Sequence, residues 1–233
     1  MNRILLKSNA KAALRENFSS KMLLFIVPII IGIIGGGYSF SWRFNHSLDW
    51  TAGHTLFTAL ALGAGLVGTL IGILFAIFVT IITAAAIFNY IKIYRGEREN
   101  PKINNIFIPF HDGTASKIFL MNLVRGLILL VLAFIPIIGW AIGIYLALGW
   151  SQATYVLFDQ LEKDNYTGVM NVLRASAELM HGFRANYFVF QLSFLGWYIL
   201  TGITGGFLGF WTIPYTNMAR VAYYQELLEQ TSF

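Results

Sequence analysis

The sequence contains no cysteine among its 233 residues, and few of its residues are charged. Without cysteine the chain cannot form a disulfide, a thiolate metal site or a cysteine nucleophile. Its charged fraction of 12% is about half of the roughly 25% that soluble globular domains carry. An ordinary water-soluble domain is therefore excluded, and the 57% of hydrophobic residues indicate a protein that has lipid as its solvent.

Acidic residues are scarcer than basic ones, with 11 Asp and Glu against 16 Lys and Arg. The basic residues are scattered along segments that flank apolar runs. They do not gather with aromatic residues on one soluble face, so no nucleic-acid partner is expected. We expect the flanking segments to contact the anionic headgroups of membrane lipids.

The apolar runs are rich in Leu, Ile, Gly and Ala and do not alternate with polar residues, which predicts helices and not a barrel. The predicted fold class is all-α, a polytopic helical membrane protein whose transmembrane helices pair into three hairpins. About six transmembrane helices are predicted, in residues 22–38, 55–91, 118–134 and 139–158 and as two spans within 187–224.

The uncharged run 55–91 is long for one helix and short for a hairpin, so it crosses the membrane either once or twice. The segment 92–117 that follows is basic, as are residues 1–21. Basic loops favour the cytoplasmic side, and an even number of crossings should therefore separate the two segments. One long, tilted helix satisfies this condition. Both termini are then cytoplasmic.

Two segments before predicted hairpins have apolar residues at helical spacing, which predicts amphipathic helices lying on the membrane surface. In residues 1–21 these positions are Leu6, Ala10, Ala13, Leu14 and Phe18. In residues 165–185 they are Val169, Val172, Leu173, Ser176, Leu179, Met180 and Phe183. The chain is interpreted as a single membrane domain with a three-fold pseudo-repeat, in residues 1–94, 95–163 and 164–233.

Catalytic and metal-binding motifs are weak. Residues 149–153, Gly-Trp-Ser-Gln-Ala, resemble a degenerate nucleophile elbow, but no His or Lys is expected at the depth of Ser151 to act as its base. His46, Asp49 and His54 share one connection, where a solvated loop is favoured over a metal site. We therefore predict no enzyme activity, no metal site and no cofactor.

A few polar or helix-bending residues fall inside the predicted spans and form a candidate intramembrane polar site. They are Asn122, Arg125, Ser151, Gln152, Gln191, Pro214 and Asn217. An intramembrane charge is a functional hypothesis by default, but Arg125 could also reach the cytoplasmic headgroups from a point about two turns into its helix. Pro214 is expected to kink the sixth span and to free the carbonyl of Phe210.

The sequence resembles the domain of unknown function 975 family of bacterial integral membrane proteins. The residues that carry the resemblance are Ala13-Leu14-Arg15-Glu16-Asn17-Phe18, Ser151-Gln152-Ala153 with Tyr155, Leu179-Met180 with Gly182, Leu192 to Trp197, Trp211 and Pro214-Tyr215. The resemblance implies a multi-pass protein of the bacterial cytoplasmic membrane. It also implies a distant likeness to the membrane region of glycerophosphodiester phosphodiesterases, whose soluble catalytic domain has no counterpart in this sequence.

The expected function is that of a non-enzymatic integral membrane protein that binds lipids, a protein partner or a second copy of itself. The alternative is a transporter or channel for a small or lipid-like molecule. That alternative requires a polar site at the midplane formed by broken helices, for which Ser151, Gln152, Gln191 and Pro214 are the candidates.

Overall fold

The computed structural model describes residues 2–30, 33 and 55–231, with the backbone alone for residues 55–67. Within these ranges all regular structure is helical, which confirms the all-α prediction. The second half of the predicted first span, the connection 39–54 and the candidate metal ligands His46, Asp49 and His54 lie outside the described residues.

The described α-helices are α1 (Arg3–Arg15), α2 (Phe18–Leu23), α3 (Thr55–Tyr94), α4 (Ile108–His111), α5 (Thr114–Ala133), α6 (Ile138–Gly149), α7 (Ala153–Glu162), α8 (Val169–Leu179), α9 (Arg184–Leu192), α10 (Leu195–Ile203) and α11 (Gly209–Thr231). Residues 26–30 are also helical. Two 3₁₀ segments, Ile103–Phe107 and Trp150–Gln152, connect α3 to α4 and α6 to α7.

Three helical stretches in the described part of the chain are long and apolar enough to cross a membrane: Gly68–Tyr94, Thr114–Ala133 and Ile138–Glu162. They correspond to the predicted second, third and fourth spans, and a total of six spans is not confirmed. The predicted fifth span is divided at Ser193 and Phe194, which form a turn between α9 and α10. The sixth corresponds to α11, whose polar second half lowers its hydropathy.

The run that was predicted to cross either once or twice is one continuous helix, α3, of 40 residues. No turn interrupts it at its glycines, in agreement with the single-helix interpretation. At 1.5 Å per residue α3 is about 60 Å long, roughly twice the thickness of a hydrocarbon core.

Helices α5 and α6 form a hairpin at the predicted Pro136 turn. Ile138 donates its backbone N–H to the Pro136 carbonyl (2.8 Å), and Ile137 adopts a positive φ of 65°. Gly139 lies directly against the end of α5, where a β-carbon would contact the Leu132 carbonyl. The hairpin can close this tightly because residue 139 has no side chain.

The apolar faces of the two predicted surface helices are covered by protein, which differs from the prediction that they face lipid. Leu6, Ala10 and Leu14 of α1 are buried, and α1 packs along α11. The apolar face of α8 packs in the same way against α7 and the turn before it. Helical spacing identifies an apolar face correctly but does not distinguish lipid from protein as its neighbour.

Lys7 holds α1 against the turn between α9 and α10. Its Nζ donates to the Ser193 carbonyl (3.3 Å) and lies 4.5 Å from the centre of the Phe194 ring. Burial, together with the nearby charges of Arg3 and Lys11, lowers the pKa of Lys7 from its ordinary value. The ammonium therefore occupies a position that is partly withdrawn from water.

Replacing Lys7 with Met keeps the apolar stem and removes the hydrogen bond and the cation–π contact. We expect Lys7→Met to lower the free energy of unfolding by about 1 kcal/mol, measured by thermal unfolding in detergent. Arg15→Met, at an exposed position of the same helix, is the matched control and should have little effect. Equal losses in the two variants would contradict the specific contact.

Candidate functional site

The candidate site is centred on the hydroxyl of Tyr187, a buried residue of α9. Gln191, one turn further along α9, donates its Nε2 to this hydroxyl at 2.6 Å. The side chains of Ser151 and Gln152, from the 3₁₀ segment between α6 and α7, lie near this hydroxyl.

Ser151 and Gln152 reach this position because the helix from Ile138 to Glu162 tightens into a 3₁₀ turn at Trp150–Gln152. The turn is held from outside by Ser176 of α8, which donates to the Gly149 carbonyl at 2.8 Å. Gln152 is completely buried and donates Nε2 to Ser151 Oγ (3.2 Å). Its Oε1 has no partner in the described part of the chain.

Arg220 of α11 approaches the same group of residues from the opposite side. Its Nε and Nη2 donate to Gln191 Oε1 at 3.4 and 3.3 Å, and Nη2 also donates to the Tyr198 hydroxyl at 3.0 Å. Tyr187 and Tyr155 lie near the same guanidinium. All of these partners are neutral.

Arg125 of α5 is the second cation near Tyr187, and within the described residues no hydrogen bond joins its side chain to the group. Its helix begins at Thr114, earlier than predicted, so Arg125 lies about 16 Å along a helix of about 30 Å. The predicted distance of two turns from the helix start is therefore too short. At this midpoint a side chain has further to extend before it reaches headgroups at either end, which weakens the anchoring interpretation.

The electrostatics of this group are unbalanced. Arg220 donates only to neutral groups, and within the described residues no carboxylate lies within 4 Å of the Arg220 or Arg125 guanidinium. Charges withdrawn from water carry a desolvation cost that neutral hydrogen-bond acceptors offset only partly. The described part of the chain therefore supplies no carboxylate to offset the charge of Arg220 or Arg125.

We refer to Arg125, Ser151, Gln152, Tyr187, Gln191, Tyr198 and Arg220 as the Tyr187 cluster. The structure brings together four of the residues singled out from the sequence: Arg125, Ser151, Gln152 and Gln191. Arg220, which the sequence also marks as a polar residue that could face Gln152, completes the cluster with Tyr187 and Tyr198, and the two tyrosines were not among those candidates. A tyrosine four residues before Gln191 shares its helical face, and this spacing was the available signal for Tyr187.

The other three candidates lie apart from the cluster. Asn122 donates Nδ2 to the Ile118 carbonyl (2.9 Å), and Asn217 donates Nδ2 to the Ile213 carbonyl (2.9 Å), so each bonds to its own helix. Pro214 is buried as the sixth residue of α11. The kink expected there stays a prediction.

Comparison with known proteins identifies one family. Residues 128–231 match the family model described as "Protein of unknown function (DUF975)". This confirms the resemblance to the domain of unknown function 975 family for that range, which includes all of the Tyr187 cluster except Arg125. The comparisons gave no significant match among curated proteins or solved structures. The likeness to glycerophosphodiester phosphodiesterases stays a prediction.

Proposed function

We propose, from the family match over residues 128–231 and the charges of the Tyr187 cluster, that this chain is a non-enzymatic protein of the bacterial cytoplasmic membrane that binds an anionic lipid. Its two termini are cytoplasmic in this proposal. The observation that carries it is Arg220, whose guanidinium donates only to the neutral groups of Gln191 and Tyr198 and has no carboxylate within 4 Å among the described residues. Arg125 is a second guanidinium near Tyr187.

A lipid phosphate would supply the missing negative charge. It accepts charge-assisted hydrogen bonds from guanidinium groups, and these are about twice as strong as neutral ones. Leu195 and Ile199 of α10 lie on the same helical side as Tyr198 and are about half exposed. They offer an apolar surface for acyl chains beside the charged group.

The contacts of Ser151 support a binding role over a catalytic one. Its Oγ accepts from Gln152 and lies near the Tyr187 hydroxyl. Neither group is a general base at neutral pH, and a serine without a base is a weak nucleophile.

A transport function for the same anionic lipid is the second candidate, favoured by the helix interruptions next to the cluster. Two interruptions of the helices lie next to the cluster. The 3₁₀ turn at Trp150–Gln152 contributes Ser151 and Gln152 to it. The turn at Ser193 and Phe194 follows Gln191 in the chain. Broken helices of this kind form the substrate sites of many secondary transporters.

Removal of the Arg220 charge tests the proposed function. We expect Arg220→Gln to bind an anionic lipid about tenfold more weakly than the wild type, because one of the two guanidinium groups near its phosphate is lost. The measurement is native mass spectrometry of protein extracted from its own membrane in mild detergent. Arg174→Gln removes the same charge from an exposed position of α8 and should retain the lipid.

Two outcomes would contradict lipid binding at this cluster: full retention of the lipid by Arg220→Gln, or an equal loss in Arg174→Gln. A stoichiometric protein companion in place of a lipid would indicate the assembly role. Transport would be favoured if the wild type moves lipid across the bilayer of reconstituted vesicles and Gln152→Ala and Gln191→Ala lose this activity while they still fold normally.

A further inference from the structure

The guanidinium of Arg220 has one edge that is bonded to the protein and one nitrogen that is not. Nε and Nη2 both donate to Gln191 Oε1, at 3.4 and 3.3 Å. Nη1 has no hydrogen-bond partner within the described residues, and it is not among the polar side-chain atoms there that are buried without a partner. The two N–H groups of Nη1 are therefore accessible from outside the protein and available to a ligand.

The hydroxyl of Tyr198 lies beside these free N–H groups. Gln191 occupies the edge of the guanidinium that Nε and Nη2 form, which leaves the second N–H of Nη2, on the side of Nη1, for the Tyr198 hydroxyl at 3.0 Å. The hydroxyl accepts this bond, and its own hydrogen has no acceptor in the described part of the chain. Tyr198 is 40% exposed. Arg220 and Tyr198 thus present adjacent, unused donors at the surface of the protein.

Gln191 fixes the direction of the guanidinium from the inner side. Its Nε2 donates to the hydroxyl of the buried Tyr187 at 2.6 Å, so its Oε1 is turned towards Arg220. The amide is therefore held at both ends, and Nη1 is directed away from it. The inner side of the Tyr187 cluster positions Arg220, and a ligand can meet the cluster at the outer side.

The surface around the outer side is apolar. Leu192, at the end of α9, and Leu195 and Ile199 of α10 are each about half exposed. No charged residue occurs in Leu195–Ile203. A ligand that reaches the donors along α10 therefore contacts hydrocarbon side chains, which suits an anion that carries acyl chains better than a fully hydrophilic anion.

We infer that the phosphate of an anionic phospholipid accepts hydrogen bonds from Arg220 Nη1 and from the Tyr198 hydroxyl, with its acyl chains along α10. This inference rests on the proposed function and adds the residues that the lipid contacts. The oxygens of one phosphate can accept from a guanidinium and from a neighbouring hydroxyl at once. Tyr198 is then a lipid-binding residue, and Gln191 is a positioning residue that does not touch the lipid.

A fluorescent label beside Tyr198 tests the position of the lipid, and the absence of native cysteine allows a single labelled site. Ile199→Cys carries the label. Ile73→Cys, at an equally exposed position of α3, is the matched control. The full chain is placed in nanodiscs of phosphatidylcholine with a minor amount of phosphatidylglycerol, and one of the two lipids has brominated chains that quench the label on contact.

Brominated phosphatidylglycerol should quench the label at residue 199 about fivefold more than the label at residue 73, because one arginine near the lipid phosphate contributes about 1 kcal/mol. Brominated phosphatidylcholine should quench both labels equally. Glycerol phosphate in excess should leave the quenching unchanged, because it has the same phosphate ester but no acyl chains.

Two substitutions in the chain labelled at residue 199 test the contacts. Tyr198→Phe removes only the hydroxyl and should weaken phosphatidylglycerol binding about fivefold. Tyr145→Phe removes a hydroxyl from an exposed position of α6 and is its control, with no expected change. Gln191→Glu places a carboxylate against Nε and Nη2, to which the Tyr187 hydroxyl can still donate. It should unfold at the wild-type temperature or above but bind the lipid about tenfold more weakly, because the chain itself then supplies the counter-ion.

Equal quenching of the two labels by brominated phosphatidylglycerol, with lipid still retained in native mass spectrometry, would overturn the inference and leave the proposed function intact. Loss of lipid from both measurements would overturn both. Wild-type binding in Tyr198→Phe or in Gln191→Glu would also overturn the inference, as would an equal loss in Tyr145→Phe. Displacement of the lipid by glycerol phosphate would show that the acyl chains along α10 contribute nothing, which contradicts it as well.

Discussion

Asp159→Ala should lower the free energy of unfolding by about 3 kcal/mol, the largest effect we expect from a single substitution at the polar end of the bundle. Asp159 Oδ1 accepts from Arg95 at 2.7 Å, and Oδ2 accepts from the Tyr224 hydroxyl at 2.8 Å. These bonds connect α7 to α3 and α11. Loss of the carboxylate leaves the Tyr224 phenol without its partner and leaves Arg95 paired only with the more exposed Glu162, in a nearly buried position where the Asp159 and Arg95 side chains are 12% and 22% exposed.

Unfolding by titration with sodium dodecyl sulfate from a mild detergent would measure this change. Glu162→Ala is the control, because Glu162 also binds Arg95 but its side chain is 32% exposed. A pair this exposed contributes at most about 1 kcal/mol. Asp159→Asn should fall between the two, since an amide oxygen can still accept one hydrogen bond. The interpretation fails if Glu162→Ala destabilises as strongly as Asp159→Ala.

Gly139→Ala is expected to destabilise the protein by about 3 kcal/mol, at the upper end of the effects of overpacking. A β-carbon at this position would lie 2.7 Å from Cβ of Ile135 and would also contact the backbone carbonyl of Leu132. A backbone atom cannot move aside as a flexible side chain can. The end of α5 and the start of α6 would therefore have to separate.

Gly143→Ala, one turn further along α6, is the matched control for Gly139→Ala. Its added β-carbon meets only Cβ of Leu132, at an ordinary distance of 4.0 Å. This variant should be as stable as the wild type or slightly more stable, since alanine favours the helix. Thermal unfolding in detergent would compare the two variants. Similar midpoints for both would show that the α5–α6 hairpin is looser than described.

The sequence predicted the elements that depend on local composition. Uninterrupted apolar runs predicted the helices α3, α5 and α6, and the Pro136 turn was predicted from its proline and glycine. The division of the predicted fifth span at Ser193 was not predicted. Hydropathy there is continuous, and the turn is held by Lys7, which is distant in sequence. Contacts between distant residues leave no periodic signal.

The same distinction applies to the Tyr187 cluster. Its residues on the predicted spans were found because a polar side chain in an apolar run stands out, as Gln152 and Gln191 do. Tyr187 did not stand out, because tyrosine is common in membrane proteins and is itself largely apolar. Asn122 and Asn217 stood out equally but bond to their own helices. Sequence identifies polar residues within a span, whereas only packing shows which of them meet.

The length of α3 has a consequence for how the protein responds to its surroundings. A helix of about 60 Å must tilt or project from a hydrocarbon core about 30 Å thick, and its tilt depends on the local thickness of the bilayer. Its last turn is joined through Arg95 to α7 and, by way of Asp159, to α11. A change in the tilt of α3 would therefore be transmitted through Arg95 and Asp159 to α7, which begins directly after Gln152, and to α11, which carries Arg220.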